Sequence, residues 1–148
     1  MFKHQITNPK TQINPQPKAV PPRADNDQNF NDRNKYYDLE ERCFKFAKNV
    51  ALYTQKIPYT AANLEYKKQV VRSAGSVGAN YIEANESLSR KDFLLRAKIC
   101  RKEAKESAYW LRLLMETNKE DIQKQGYFLF NESIELKKIF CSIIEKSK

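Results

Sequence analysis

Leu88-Ser89-Arg90-Lys91-Asp92-Phe93 (LSRKDF) decides the fold, because it marks the place where one helix has ended and the next begins. The Ser89 hydroxyl can accept the backbone N–H of Asp92, and the Asp92 carboxylate can reach back to Ser89, the reciprocal arrangement of a capping box. Leu88 and Phe93 occupy the positions before the cap and four residues into the helix, where a hydrophobic staple can form. Helical periodicity runs up to this hexapeptide on one side and resumes at once on the other. The link is therefore tight, and the two helices it joins should lie antiparallel.

Working outward, the helix that starts at Arg90 carries Phe93, Ala97, Cys100, Ala104, Ser107, Leu111 and Leu114 at heptad steps and predicts a span of about 90–117. Upstream, a helix over about 61–87 follows Thr60. A first helix over about 38–57 shows Leu39, Cys43, Phe46, Val50, Tyr53 and Ile57 at alternating steps of 4 and 3, with Pro58 stopping it. Asp38 and Glu41 have the spacing of a cap for that helix. Downstream, 118–126 (NKEDIQKQG) is polar and reads as loop or a frayed first turn before a helix over about 122–146. That last helix carries two apolar rows, Tyr127, Phe130, Ile134, Cys141, Ile144 and Leu129, Leu136, Phe140, Ile143. Two rows exceed what one neighbour can cover. Four helices with short links and no strand-period segment predict an all-α, antiparallel up-down-up-down four-helix bundle over 37–148.

Residues 1–36 differ in kind. They hold five of the six prolines (Pro9, Pro15, Pro17, Pro21, Pro22) and only scattered apolar side chains. Such a segment cannot bury enough surface to offset its chain entropy, so it is expected to be a disordered tail. It would serve as a tether, a binding arm, or merely a solvated end.

Composition excludes several classes of chemistry. The sole histidine, His4, lies in the tail, so Ser-His and Cys-His nucleophile pairs and Glu-x-x-His di-iron ligands are missing from the folded part. No G-x-G-x-x-G, P-loop or G-x-S-x-G pattern occurs. Cys43, Cys100 and Cys141 are isolated, odd in number, and each on an apolar stripe, which predicts small buried hydrophobes and neither a disulfide framework nor a zinc site. A non-enzymatic protein with no cofactor and no metal is expected. With no secretory signal and no apolar run of membrane-spanning length, the expected location is the cytoplasm, away from the membrane.

The second helix is unusual in its middle, Arg72–Ala84 (RSAGSVGANYIEA). Gly75 and Gly78 each cost about 1 kcal/mol of helix propensity. Small residues such as Ala74, Gly75 and Gly78 repay that cost where another backbone approaches closely. We expect this helix to be contacted on two sides, by its own bundle and by a neighbouring copy. Arg72, Asn80 and Glu83 then face crowded surface. They serve either as satisfied structural groups, an Arg–carboxylate pair and an amide bridging helices, or as the wall of a pocket between subunits.

The net charge of +9 is uneven along the chain. The third helix holds eight Lys/Arg against four acids, and Lys91, Lys98, Arg101, Lys102, Lys105 and Arg112 fall within an arc of about 100° opposite or beside its apolar seam. A ladder of cations suits the phosphates of RNA or DNA, or an acidic partner; an ordinary solvated face is the alternative. Glu103 and Glu106 read as part of the same surface, with Glu106 diluting the stripe through an i,i+4 pair with Lys102. Tyr36, Tyr37, Tyr59 and Tyr66 could stack on unpaired bases or pack at the core and its rim.

The run Gln69–Leu114 (QVVRSAGSVGANYIEANESLSRKDFLLRAKICRKEAKESAYWLRLL), with Ile134–Lys148 (IELKKIFCSIIEKSK) at the end, resembles the four helix bundle protein family. Members of that family were first noticed as products of intervening sequences in bacterial 23S ribosomal RNA genes. The shared pattern comprises Arg72-Ser73-Ala74, Asn80, Glu83-Ala84, Ser89-x-x-Asp92-Phe93, Lys102-Glu103-Ala104 and Tyr109-Trp110-Leu111 over about residues 38–147. The resemblance implies a four-helix protomer that assembles as a ring, a homopentamer. The family is also similar to the accessory variability protein of diversity-generating retroelements, whose basic surface binds a reverse transcriptase and nucleic acid. The clustering of the six cations on the third helix carries the expectation that the chain binds nucleic acid, or a protein that processes it, through that face. A protein–protein scaffold without nucleic acid is the other reading.

Overall fold

The computed structural model describes residues 27–148, with side chains from Asp38 onward. Four helices occur in chain order: α1 (Asp27–Gln55), α2 (Ala61–Asn85), α3 (Arg90–Glu116) and α4 (Glu120–Lys146). The packed pairs are α1–α2, α2–α3, α3–α4 and α1–α4, so each helix touches its two neighbours around the bundle and no diagonal pair meets among the described residues. Short links make every sequential pair antiparallel. The expected up-down-up-down bundle is what the chain forms.

Local signals set most boundaries. Thr60 caps α2, its hydroxyl accepting the Asn63 N–H at 3.0 Å, and Ser89 caps α3, accepting the Asp92 N–H at 3.1 Å. Each such cap stabilises a helix end by about 1 kcal/mol. The staple does not form. Leu88 is fully exposed, carried outward by the short link, while Phe93 packs against the core without it. The first helix also begins earlier than expected, at Asp27, so Asp38 lies inside it and is not its cap. Helical hydrogen bonding simply continues upstream through 27–37; the rest of the segment assigned to the tail, 1–26, lies outside the described residues. At the other junction the polar stretch after Asn118 is helical from Glu120, where Glu120 and Asp121 favour the positive end of the helix dipole.

The core lies along the heptad seams. Cys43, Phe46, Val50, Tyr53 and Ile57 of α1 meet Val70, Ala74, Val77 and Tyr81 of α2, Cys100, Ala104, Leu111 and Leu114 of α3, and Leu129, Leu136 and Phe140 of α4. Tyr81 and Phe140, both fully buried, meet edge to face with ring centroids 5.5 Å apart. Side chains of this size contribute about 1.5–3 kcal/mol each on burial. Of the two apolar rows of α4, the one from Tyr127 is only partly covered, with Tyr127 exposed, Phe130, Ile134 and Cys141 half-buried and Ile144 buried, whereas in the other Leu129, Leu136 and Phe140 are buried and Ile143 is half-buried. Burial pushes the Cys43 and Cys100 thiols up to about 12, so both are inert hydrophobes.

At one end of the bundle two links are tied together. Asn63 and Asn118 exchange reciprocal amide hydrogen bonds of 2.9 Å, and each also reaches a backbone carbonyl, Asn63 that of Pro58 and Asn118 that of Leu114. The α1–α4 seam is held by Arg42, which donates to both carboxylate oxygens of Glu132 at 2.6 and 3.0 Å.

Candidate functional site

The outward face of α3 carries the basic stripe. Lys91, Lys98, Arg101, Lys102, Lys105 and Arg112 are all exposed, as their position opposite the seam requires. Arg112 is engaged by Glu116, one turn on, at 2.6 Å. The other five form no ion pair among the described residues. From Lys91 to Lys105 the stripe extends about 21 Å at 1.5 Å per residue.

Glu106 does not dilute it. The carboxylate turns toward α2, where it accepts from Arg72 and from the indole N–H of Trp110 at 3.3 Å, so no pair with Lys102 forms. Glu103 is likewise not a surface residue. It is 8% exposed, and its Oε2 is buried with no hydrogen-bond partner. The residue one turn from Glu106 on the same helix thus faces the α2–α3 seam, and helical spacing alone could not show it, since the seam is wider there than one heptad row.

The polar residues of α2 belong to that same seam. Arg72 pairs with Glu106, Asn80 accepts from Arg96 at 3.2 Å and donates to the Ser76 carbonyl at 2.9 Å, and Arg96 also pairs with Glu83 at 2.7 Å. They are an Arg–carboxylate pair and an amide bridging helices, all within one protomer. Deeper in the seam, Ser107 donates to Ser73 at 2.9 Å, and both hydroxyls are fully buried.

The glycines separate by surroundings. Gly78 sits against Cys43 of α1, where an added Cβ would meet the Cys43 Cβ at 3.4 Å. Gly75 has nothing within 4 Å of such a Cβ and is exposed. On the same side of α2, Val71 and Ile82 are 43% and 52% exposed, and Phe44 of the adjoining α1 is 60% exposed. Ala74, in contrast, is wholly inside the core. The sequence did not single out Gly126, which has the closest neighbours of the three: a Cβ there would lie 2.5 Å from the Tyr53 hydroxyl oxygen and 2.7 Å from Met115 Cγ.

Among the aromatic candidates, Tyr66 stacks obliquely on Trp110 at 6.0 Å and packs on the core, and Tyr59 is exposed at the α1–α2 link. The side chains of Tyr36 and Tyr37 lie outside the described residues. No group of three or more His, Cys, Asp or Glu is gathered into a metal-binding cluster among the described residues. No described helix is long and apolar enough to cross a membrane.

Residues 35–142 match the family model described as 23S rRNA-intervening sequence protein. The chain belongs to that family. Among solved structures, it is similar to a protein of unknown function from the S23 ribosomal protein family of Bacteroides thetaiotaomicron VPI-5482, with 34% identity and a TM-score of 0.60. That match covers 71% of this chain and 96% of the other. No curated protein matches it. In this member of the 23S rRNA-intervening sequence family, Ser89-x-x-Asp92-Phe93 lies at the α2–α3 junction and Lys102-Glu103-Ala104 crosses the boundary between basic stripe and core.

Proposed function

We propose that this intervening-sequence protein is a non-enzymatic bundle that binds nucleic acid, or a protein that processes it, through the outward face of α3. The observation that carries this reading is the run of five cations, Lys91, Lys98, Arg101, Lys102 and Lys105, exposed on one face and without an ion-pair partner among the described residues. Surface cations on helices ordinarily meet an acid one turn away. Of the five, only Lys102 has an acid one turn away on α3, Glu106, and that carboxylate is taken by Arg72, while Glu103 is buried. Such a face attracts polyanions and repels copies of itself.

Fluorescence anisotropy with RNA and DNA oligonucleotides across a salt series tests it. Five phosphate contacts predict a slope of log K against log salt of about −4.5 for duplex. Reversing Lys91, Lys98, Lys102 and Lys105 to Glu should abolish binding. Absence of binding at low salt, or binding indifferent to the reversals, overturns the reading. Capture of a partner that survives high salt would instead favour a protein–protein scaffold with no role for nucleic acid.

A second reading concerns self-association. The exposed Phe44, Val71 and Ile82 flank the open Gly75 on the α1–α2 side of the bundle, away from the basic face. That combination suits close approach of a second copy, and a ring of five is what the family resemblance implies. Multi-angle light scattering should then give a multiple of the protomer mass, and Val71→Glu with Ile82→Glu should lower it. A monomer at micromolar concentration would refute the assembly.

A further inference from the structure

An exposed aromatic ring continues the basic stripe. Tyr109 lies on the same outward face of α3, one turn beyond Lys105 and just before Arg112, and is 58% exposed. The Trp110 ring stands against it at 72° with centroids 5.0 Å apart. Trp110 is itself held by its hydrogen bond to Glu106 and by Tyr66 on α2. The Tyr109 ring is thus braced from one side and open on the rest.

We propose that the α3 face selects single-stranded nucleic acid, with an unpaired base stacking on Tyr109 while Lys91, Lys98, Arg101, Lys102 and Lys105 follow the phosphates. This deepens the basic-face reading and rests on it. Cations alone would favour duplex, whose phosphates are more densely spaced. A half-exposed, braced ring adds a surface that a paired base cannot reach and an unpaired base can. From Lys91 to Tyr109 the face measures about 27 Å at 1.5 Å per residue, room for a short oligonucleotide. At the far end the run of unpaired cations stops, where Arg112 is paired with Glu116 and Lys124 of α4 with Glu120.

The test is a titration of the full-length protein with 12-nucleotide single-stranded RNA and DNA, the same sequences as duplexes, and poly-glutamate, following anisotropy and Trp110 emission. Trp110 is the sole tryptophan, so a base arriving on the adjoining Tyr109 ring should change its fluorescence. The expected result is tighter binding of single strands than of duplex, with Trp110 emission altered. Tyr109→Ala should weaken single-strand binding about five- to a hundred-fold, and Tyr109→Phe should retain it. Duplex bound as well as single strands, or Tyr109→Ala binding unchanged while the Lys reversals abolish it, would overturn this inference and leave the basic face standing. Poly-glutamate bound as tightly as the oligonucleotides would make the face a site for acidic protein, and no binding of any polyanion would overturn both readings.

Discussion

Tyr53 of α1 lies directly over Gly126 of α4, its hydroxyl donating to the Ile122 carbonyl at 3.1 Å while its ring occupies the space a side chain at 126 would need. The glycine is there so that α1 and α4 can close at this point. Gly126→Ala should therefore destabilise the protein by about 1–3 kcal/mol despite the better helix propensity of alanine. Gly75→Ala, which meets nothing, should stabilise the protomer by about 1 kcal/mol. Urea unfolding at low protein concentration measures both, and equal effects at the two positions would contradict the contrast.

The reciprocal amides of Asn63 and Asn118 should behave as one unit. Replacing either by Ala leaves its partner with unmet donors and acceptors and should cost about 1–3 kcal/mol. Removing both should cost less than the sum of the two. A double-mutant cycle showing strict additivity would mean that the pair contributes nothing as a pair.

Glu103 makes the opposite prediction from a paired carboxylate. With a buried oxygen that finds no donor, its replacement by Met should stabilise the bundle by about 1–3 kcal/mol at neutral pH. A loss of stability measured in denaturant would show that the carboxylate is satisfied in solution.

Alkaline pH should unfold the protein progressively. Cys43 and Cys100 are raised from an ordinary 9.0, and Tyr53 from 10.0, to about 12, each by burial. Above pH 9 the unfolded chain has released thiol protons that the folded chain still holds, so stability falls as pH rises. Each thiol contributes a slope of about 1.4 kcal/mol per pH unit through that window, and the loss ends near pH 12. Stability should be level from pH 7 to 8. Cys43→Ala with Cys100→Ala should start lower yet decline less steeply; parallel curves would refute the cause.

Much of the architecture is legible in local patterns. The heptad seams name the buried residues of α1 and α3, Ser89 caps the helix it was expected to cap, α2 starts after Thr60 as expected, and Pro58 follows the end of α1. The basic stripe is legible for the same reason, since residues on one face of one helix are related by a fixed 100° step. Less legible are the ends where a local signal competes with helix continuation. Asp38 and Glu41 have the spacing of a cap, yet the helix runs through them, and the polar start of α4 forms without a capping side chain.

Interactions between helices are where reading the chain alone falls short. Spacing suggested that Glu106 would pair with Lys102, its neighbour one turn away, but the carboxylate belongs to Arg72, 34 residues distant. Glu103 looked solvated and is buried; Leu88 looked stapled and is exposed. The three glycines are alike as letters, yet one faces open space, one touches Cys43 and one lies under Tyr53. Helix identity, length and apolar face follow from near neighbours, whose geometry the backbone period prescribes. Which side chain meets which across a seam depends on the register of two helices, and that register emerges only when all four helices are packed around one core.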